Sequence, residues 1–149
     1  MSGTGPVPGD TSPRHPVDFE CARSPTVGGV TNLSIAATAE RTGVSAHTLR
    51  YYERIGLIDP VDRDEGGRRI YSDADLARVD FLRKLRSTGM PITRMQEYVE
   101  LVRRGPGTEP ARLALLEQHR RHVLHDLEHL NDCLGAINFK IDRYRGSTA

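Results

Sequence analysis

The amino-acid sequence predicts a mainly α-helical protein in which several short helices precede one long helix. Two observations lead to this prediction. Between Ser34 and Val102, apolar residues recur at helical spacing in short stretches that glycine or proline interrupts. From Pro110 to about Arg145, a single apolar repeat continues instead. We therefore assign residues 33–104 to a first domain and residues 105–149 to a linker and a long helix.

The first two predicted helices are short and joined by a tight turn. Ser34 is suited to cap the first helix, and Gly43 ends it because glycine readily adopts the left-handed conformation of a helix C-terminus. Ser45 caps a second helix that runs from Ala46 to Ile55. Two short helices joined in this way have the layout of a helix-turn-helix.

A small β-hairpin is predicted after the second helix. Two extended pieces, Val61–Arg63 and Arg68–Tyr71, lie on either side of a pair of glycines. A hairpin beside a helix-turn-helix is called a wing, and the adjacent Arg68 and Arg69 are suited to contact a DNA backbone. The sequence therefore predicts a winged helix-turn-helix.

One face of the second helix carries side chains suited to a DNA groove. Helical spacing places on this face His47, Arg50, Tyr51 and Arg54. Arginine binds phosphate or the guanine edge, and a tyrosine hydroxyl donates to phosphate. A solvated polar face has the same pattern, so the wing arginines are what favour DNA binding. Charge alone adds little, since residues 34–104 carry 13 basic and 11 acidic side chains.

The C-terminal half is predicted to contain three more helices. Ser72 caps one that continues through Ser87, and another spans Thr93 to Val102. The last carries a heptad seam in which Arg120 is the one break. The seam consists of Leu113, Leu116, Val123, Leu127, Leu130, Leu134, Ile137, Ile141 and Tyr144. A lone helix cannot bury such a stripe, so we expect a coiled-coil homodimer; packing onto its own domain is the alternative.

Composition narrows the remaining possibilities. The chain has a net charge of +1 and no apolar run long enough to span a bilayer, so we expect a cytoplasmic protein that does not enter membranes. Residues 1–32 are rich in proline and predict a disordered tail. No nucleophile–base pair stands out, so we expect neither enzymatic activity nor a cofactor.

Potential metal ligands are present on the long helix. His122, His125, His129 and Asp132 recur at helical spacing, but we expect them on the solvated face opposite the seam and predict no metal site. Cys133 lies next to a seam residue and is expected to act as a small apolar side chain.

Several runs of residues resemble the mercury-resistance regulator (MerR) family. They are Leu33–Ile35, Thr42–Ser45, Thr48–Glu53, Gly56–Ile58 and Arg68–Tyr71, followed by Asp75, Leu76, Phe81, Leu85, Arg86 and Gly89. The resemblance covers residues 33 to about 101, and Thr-Leu-Arg-Tyr-Tyr-Glu is its most specific part. The stretch from Gly107 to Tyr144 resembles a small subgroup without an effector domain that includes regulators responsive to aldehydes and other electrophiles. Those members use a cysteine in the third helix, where this chain has Lys84.

The resemblance implies a fold and a set of DNA contacts. In the family, the winged domain reads an operator, the long helix forms an antiparallel dimer, and distortion of promoter DNA regulates RNA polymerase at the same promoter. Arg50 and Tyr51 would be the main groove contacts, supported by Thr48 and Tyr52. His47 lies at a variable position and would adjust operator choice. The whole predicted DNA-binding set is Ser45, His47, Thr48, Arg50, Tyr51, Tyr52, Arg68, Arg69 and Tyr71.

Two other functions fit parts of the sequence. An architectural protein that coats DNA without responding to a ligand would use the same winged domain. A protein–protein adaptor would use only the coiled coil. The resemblance favours a transcriptional regulator and leaves its small-molecule effector open.

Overall fold

The computed structural model describes residues 32–148 and confirms a mainly helical fold with a long C-terminal helix. The elements are β1 (Leu33–Ser34), α1 (Ile35–Thr42), α2 (Ala46–Arg54), β2 (Ile70–Tyr71), α3 (Asp73–Ser87), α4 (Ile92–Arg103) and α5 (Glu109–Ser147). The predicted disordered tail lies outside the described residues, apart from Asn32.

The turn between α1 and α2 forms as its residues predict. The Ser34 side chain accepts a hydrogen bond from the backbone N–H of Ala37 at 3.2 Å and so caps α1. Gly43 ends α1 with a φ of 71°, and its N–H donates to the carbonyl of Ala39 at 2.9 Å. A residue with a Cβ would be strained at this φ. Ser45 then caps α2, and the second helix leaves the turn at a defined angle.

The wing forms the predicted short hairpin. Its two arms meet at an antiparallel bridge between Arg63 and Arg69, and the N–H groups of Ile70 and Asp64 donate to the carbonyls of Asp62 and Arg68 at 2.8 and 2.9 Å. The residues that form a two-stranded ladder are Ile70–Tyr71, and their antiparallel partner is β1 at the start of the domain. The prediction missed this partner because Leu33–Ser34 is only two residues long and merges into the α1 cap. So short a strand shows no alternation of apolar and polar residues.

The core lies between the four short helices and β2. Leu49 of α2, Tyr71 of β2, Val79 of α3 and Met95 of α4 are fully buried. The Arg103 side chain ties α4 to the loop after α2, donating to the Gly56 carbonyl at 2.6 Å and to the Asp59 carboxylate at 2.9 Å. The C-terminal end of α2 and the loop after it are therefore tied to α4, to which Gln96 adds a bond to the Ile55 carbonyl at 3.2 Å.

Only the first turns of α5 pack onto this domain. Leu115 is buried in the core, and Leu116 packs partly against it. Leu115 lies outside the predicted seam, whereas Leu116 belongs to the predicted seam, so the start of the seam also packs on its own domain. Beyond these turns the seam is exposed at Leu127, Leu130 and Leu134, at 50%, 63% and 52%. No helix within residues 32–148 combines the length and apolar character needed to cross a membrane.

The start of α3 provides a test of local helix stability. Ser72 Oγ accepts from the Asp75 N–H at 3.2 Å, and the Asp75 carboxylate accepts from the Ser72 N–H at 2.9 Å. This capping box satisfies two N–H groups that the helix cannot. We expect Ser72→Ala to lower the free energy of unfolding by about 0.5–2 kcal/mol in urea denaturation. Ser87→Ala, at the exposed end of the same helix, is the matched control; an equal loss in both would contradict a specific role for the cap.

Candidate nucleic-acid interface

The exposed face of α2 carries the predicted groove residues. His47, Arg50 and Arg54 are exposed and Tyr51 is partly buried, whereas Leu49 and Tyr52 point into the core. The structure therefore confirms the polar face that helical spacing predicted and adds a packed face opposite it. Two cationic guanidinium groups and an imidazole therefore project from one side of a helix that is fixed on its other side.

Tyr51 is held in place at the edge of this face. The guanidinium carbon of Arg54 lies 5.3 Å from the centroid of the Tyr51 ring, and the ring lies 6.3 Å from that of Tyr52. A cation over an aromatic face contributes about 0.5–1 kcal/mol at an exposed site. The contact orients both side chains of the pair before any ligand binds.

Ser45 and Thr48 form the N-terminal cap of α2. The Thr48 N–H donates to Ser45 Oγ at 3.1 Å, and the two hydroxyl oxygens are 2.9 Å apart. Their positions at the positive end of a helix dipole suit a phosphate oxygen. A DNA contact by either residue stays a prediction, since the bonds seen here are internal to the cap.

Two of the predicted DNA-binding tyrosines are core residues in this structure. Tyr52 is 5% exposed, and Tyr71 is fully buried. Tyr71 was expected to reach phosphate from the wing, but its place on β2, paired with β1, turns its ring inward. Burial raises the pKa of both phenols. In this structure both tyrosines therefore pack α2 and the wing against the rest of the domain.

Arg68 is the more exposed of the two adjacent arginines in the wing. Its side chain is 84% exposed and forms a 3.1 Å ion pair with Asp64 across the tip of the hairpin. The Arg68 N–H also donates to the Asp64 carboxylate at 2.9 Å, and this bond lowers the pKa of Asp64. Arg63, which sequence reasoning did not single out, donates from the same tip to the Gly67 carbonyl at 2.7 Å. The tip therefore presents two exposed guanidinium groups.

Arg69 joins the wing to the recognition helix. Its guanidinium donates to both carboxylate oxygens of Glu53, at 2.9 and 3.4 Å, and the pair is only 26% and 16% exposed. These bonds raise the pKa of Arg69. Sequence reasoning predicted a phosphate contact for Arg69 and overlooked Glu53, although an acidic residue within a basic face was a signal for an internal partner. The pair fixes the spacing between the wing and α2.

Comparison with known proteins gives this arrangement a family. Residues 33–101 match the MerR HTH family regulatory protein. The HTH-type transcriptional regulator AdhR of Bacillus subtilis is 38% identical over 92 residues, which cover 62% of this chain and 66% of that regulator. The mercuric resistance operon regulatory protein of Serratia marcescens is 30% identical over 122 residues, which cover 79% of this chain and 83% of that protein.

A solved structure agrees with these relatives. The chain superposes with a TM-score of 0.71 and 33% identity on the crystal structure of HiNmlR, a MerR family regulator lacking the sensor domain, bound to promoter DNA. The match covers 80% of this chain and 94% of that one. The fold and the exposed face of α2 define a winged helix-turn-helix DNA-binding regulator. The chain belongs to the MerR family of transcriptional regulators.

The two wing arginines provide a test of the interface. We expect Arg68→Ala to weaken binding to all DNA sequences and to reduce the salt dependence by about one slope unit, as for one lost phosphate contact. Arg69→Ala should also lower the free energy of unfolding, because it leaves Glu53 partly buried without its partner. DNA titrations at several salt concentrations measure the loss of a phosphate contact, and urea denaturation of each variant measures the loss of stability. If Arg69→Ala unfolds like the parent, as Arg68→Ala should, the Arg69–Glu53 ion pair does not position the wing.

Proposed function

We propose that the protein binds promoter DNA as an antiparallel homodimer and regulates transcription there. The observation that carries the proposal is the exposed face of α2, joined to the wing by the Arg69–Glu53 pair. The relatives above are transcriptional regulators rather than enzymes, and we assign this chain no enzymatic activity. We propose that the protein acts in the cytoplasm, where bacterial promoters are located.

The seam on α5 favours a dimer whose helices run in opposite directions. In one antiparallel register, residues whose numbers sum to 257 face each other, and every seam position then has a partner. Leu113 faces Tyr144, Leu116 faces Ile141, Arg120 faces Ile137, Val123 faces Leu134, and Leu127 faces Leu130. A shift by one heptad in either direction leaves two apolar positions at one end of each helix uncovered. Burial of apolar area therefore selects this register.

The break at Arg120 supports the same orientation. In a parallel dimer, Arg120 would meet its own copy inside the seam, and two like charges would be brought together. In the antiparallel register it lies across from Ile137, two apolar layers in from the end of the seam, where its stem can cover apolar surface while the guanidinium reaches solvent. In the single chain, the Arg120 guanidinium lies 3.9 Å from the Glu117 carboxylate.

An antiparallel dimer leads to a mechanism of regulation. In each protomer, α2 binds in a groove and the wing binds the adjacent DNA backbone, so the dimer contacts DNA at four places. The DNA between them adapts to the protein, and bending or untwisting a site of about 20 base pairs costs about 1–6 kcal/mol. Charge-assisted phosphate contacts offset this cost. By changing how the −35 and −10 elements are placed relative to each other, the bound dimer controls RNA polymerase at that promoter.

An architectural role is the second candidate. It would use the same DNA contacts, but its footprint would spread along DNA rather than end at one operator. The match to a regulator crystallised on promoter DNA favours the discrete site.

The dimer is tested by a charge in the seam. We expect Leu130→Asp to yield monomers that lose operator binding, since Leu130 is 63% exposed on its own chain and needs a partner to cover it. Phe139→Asp is the matched control: Phe139 is 67% exposed but lies on the side of α5 opposite the seam. Sedimentation analysis distinguishes them. A Leu130→Asp dimer would show that the seam is not the interface.

The mechanism is tested on the promoter. If regulation works by distortion, shortening the spacer between the −35 and −10 elements by one or two base pairs should make the promoter active without the regulator. Bound protein should then no longer stimulate it. In vitro transcription on the parent and shortened promoters measures both effects. Identical regulation of all templates would indicate steric occlusion of RNA polymerase.

A further inference from the structure

A cavity lies where the turn between α3 and α4 meets the N-terminal part of α5, and we call it the junction cavity. Its volume is about 140 Å³. The lining combines apolar side chains, from Met90, Pro91 and Leu115, with polar ones, from Arg94, Gln118, His119 and His122. Met90 and Leu115 are buried, so the apolar part of the lining is continuous with the core. The cavity therefore suits a ligand that has both an apolar and a polar part.

Two side-chain bridges connect the DNA-binding domain to α5 beside this cavity. The Arg94 guanidinium on α4 donates to the side-chain carbonyl of Gln118 on α5. In the turn before α4, Oγ1 of Thr88 lies 2.8 Å from Nε2 of His119 on α5. Three of these four residues also line the cavity. A ligand in the junction cavity therefore contacts the domain and the long helix at the same time.

The polar part of the lining has hydrogen-bond donors that no acceptor uses. A guanidinium has five N–H donors. Arg94 gives one to Glu97 and one to Gln118, and the other three have no partner within residues 32–148. The amide nitrogen of Gln118 also has no partner in this part of the chain. Unused donors from a cation and an amide are suited to the oxygens of an anion.

The charges around the cavity favour an anion as well. Among the residues that the structure describes, no aspartate or glutamate lines it. The ion pair of Arg94 with Glu97 is exposed on the Glu97 side, so it is weak and leaves the guanidinium able to bind a second carboxylate. In addition, α4 begins at Ile92 with no side-chain cap and no acidic residue in its first turn, so the positive end of its dipole is not offset.

Size and polarity together select the kind of anion. One water molecule takes up about 30 Å³ of liquid, so the cavity has room for about five non-hydrogen atoms. A fully polar anion of this size, such as phosphate, would lose its hydration against Met90 and Leu115 without compensation there. A carboxylate on a short aliphatic chain meets both parts of the lining, since a guanidinium binds a carboxylate through paired N–H groups and the chain covers apolar surface.

We propose that the junction cavity binds a small aliphatic monocarboxylate, which acts as an effector of the regulator. The carboxylate accepts from Arg94 and Gln118, and the aliphatic chain lies against Met90 and Leu115. Because the ligand contacts α4 and α5 together, it fixes the direction in which α5 leaves the domain. This last step rests on the proposed function: in the proposed dimer, that direction sets the distance between the two α2 helices and hence the affinity for promoter DNA.

The first test uses propionate as the probe, which has five non-hydrogen atoms. NMR titration of the full-length protein, with sodium chloride added to keep the sodium concentration constant, should show saturable binding of one propionate per chain. Acetate, which lacks one CH₂ group, should bind about fourfold more weakly. Propionamide has the same shape without the charge and should not bind. No saturable binding of propionate would overturn the site, and equally tight binding of inorganic phosphate would overturn the assignment to carboxylates.

The second test locates the carboxylate with variants. Arg94→Gln should weaken propionate binding at least about tenfold, as for a lost hydrogen bond to a charged group. Arg104→Gln is the matched control, because Arg104 is also paired with a glutamate on its own helix but lies at the other end of α4. Gln118→Glu keeps an acceptor for Arg94 and the shape of the side chain, so it should fold like the parent. Its own carboxylate should exclude propionate, and parental binding by this variant would overturn the site.

The third test measures coupling to DNA and separates this proposal from the function on which it rests. Saturating propionate should change the affinity of the parent protein for its promoter DNA at least about fivefold, measured by fluorescence anisotropy, and should leave that of Gln118→Glu unchanged. Propionate binding with unchanged DNA affinity would overturn the role as an effector. A protein that binds promoter DNA but no propionate would refute the junction site alone, and one that binds propionate but no promoter DNA would refute the proposed function.

Discussion

An apolar stripe that its own chain cannot cover is the constraint on which the assembly depends. The first turns of α5 bury Leu115 in the domain, so the chain covers the apolar surface at the start of the helix itself. Further along, Leu127, Leu130 and Leu134 remain half or more exposed. In the dimer that we propose, a second copy offers the same stripe, and its reversed orientation pairs every position while keeping the Arg120 residues apart. In that proposed dimer, the distance between the two α2 helices, and hence the DNA that they can hold, follows from this pairing.

The DNA-binding surface depends on a second, smaller contact. The Arg69–Glu53 pair, at 2.9 Å, joins the wing to α2, while Tyr52 and Tyr71 pack beneath both. Removing one partner of a partly buried ion pair costs free energy, so the pair keeps the wing and α2 in a fixed relative position. Exposed side chains then extend from this support, and they are the ones that we propose contact DNA: His47, Arg50 and Arg54 on the helix and Arg68 on the wing.

Much of this architecture could be predicted from the sequence. The caps at Ser34, Ser45 and Ser72 and the left-handed Gly43 are local features, and the structure places each of them as expected. The division of α2 into an exposed and a buried face follows from helical spacing alone. The pairing of β1 with β2 could not be predicted, because two-residue strands are selected by tertiary contact rather than by their own pattern.

By itself, the sequence determined the helices, their ends and the heptad seam, since each depends on residues within a few turns of one another. Only the tertiary structure decided which polar groups are free to bind. It turned Tyr71 inward, engaged Arg69 with Glu53 and left Arg68 exposed, although the two arginines are adjacent in the chain. The reason is physical: whether a side chain faces solvent, a partner or the core is set by elements distant in sequence, and no local spacing encodes it.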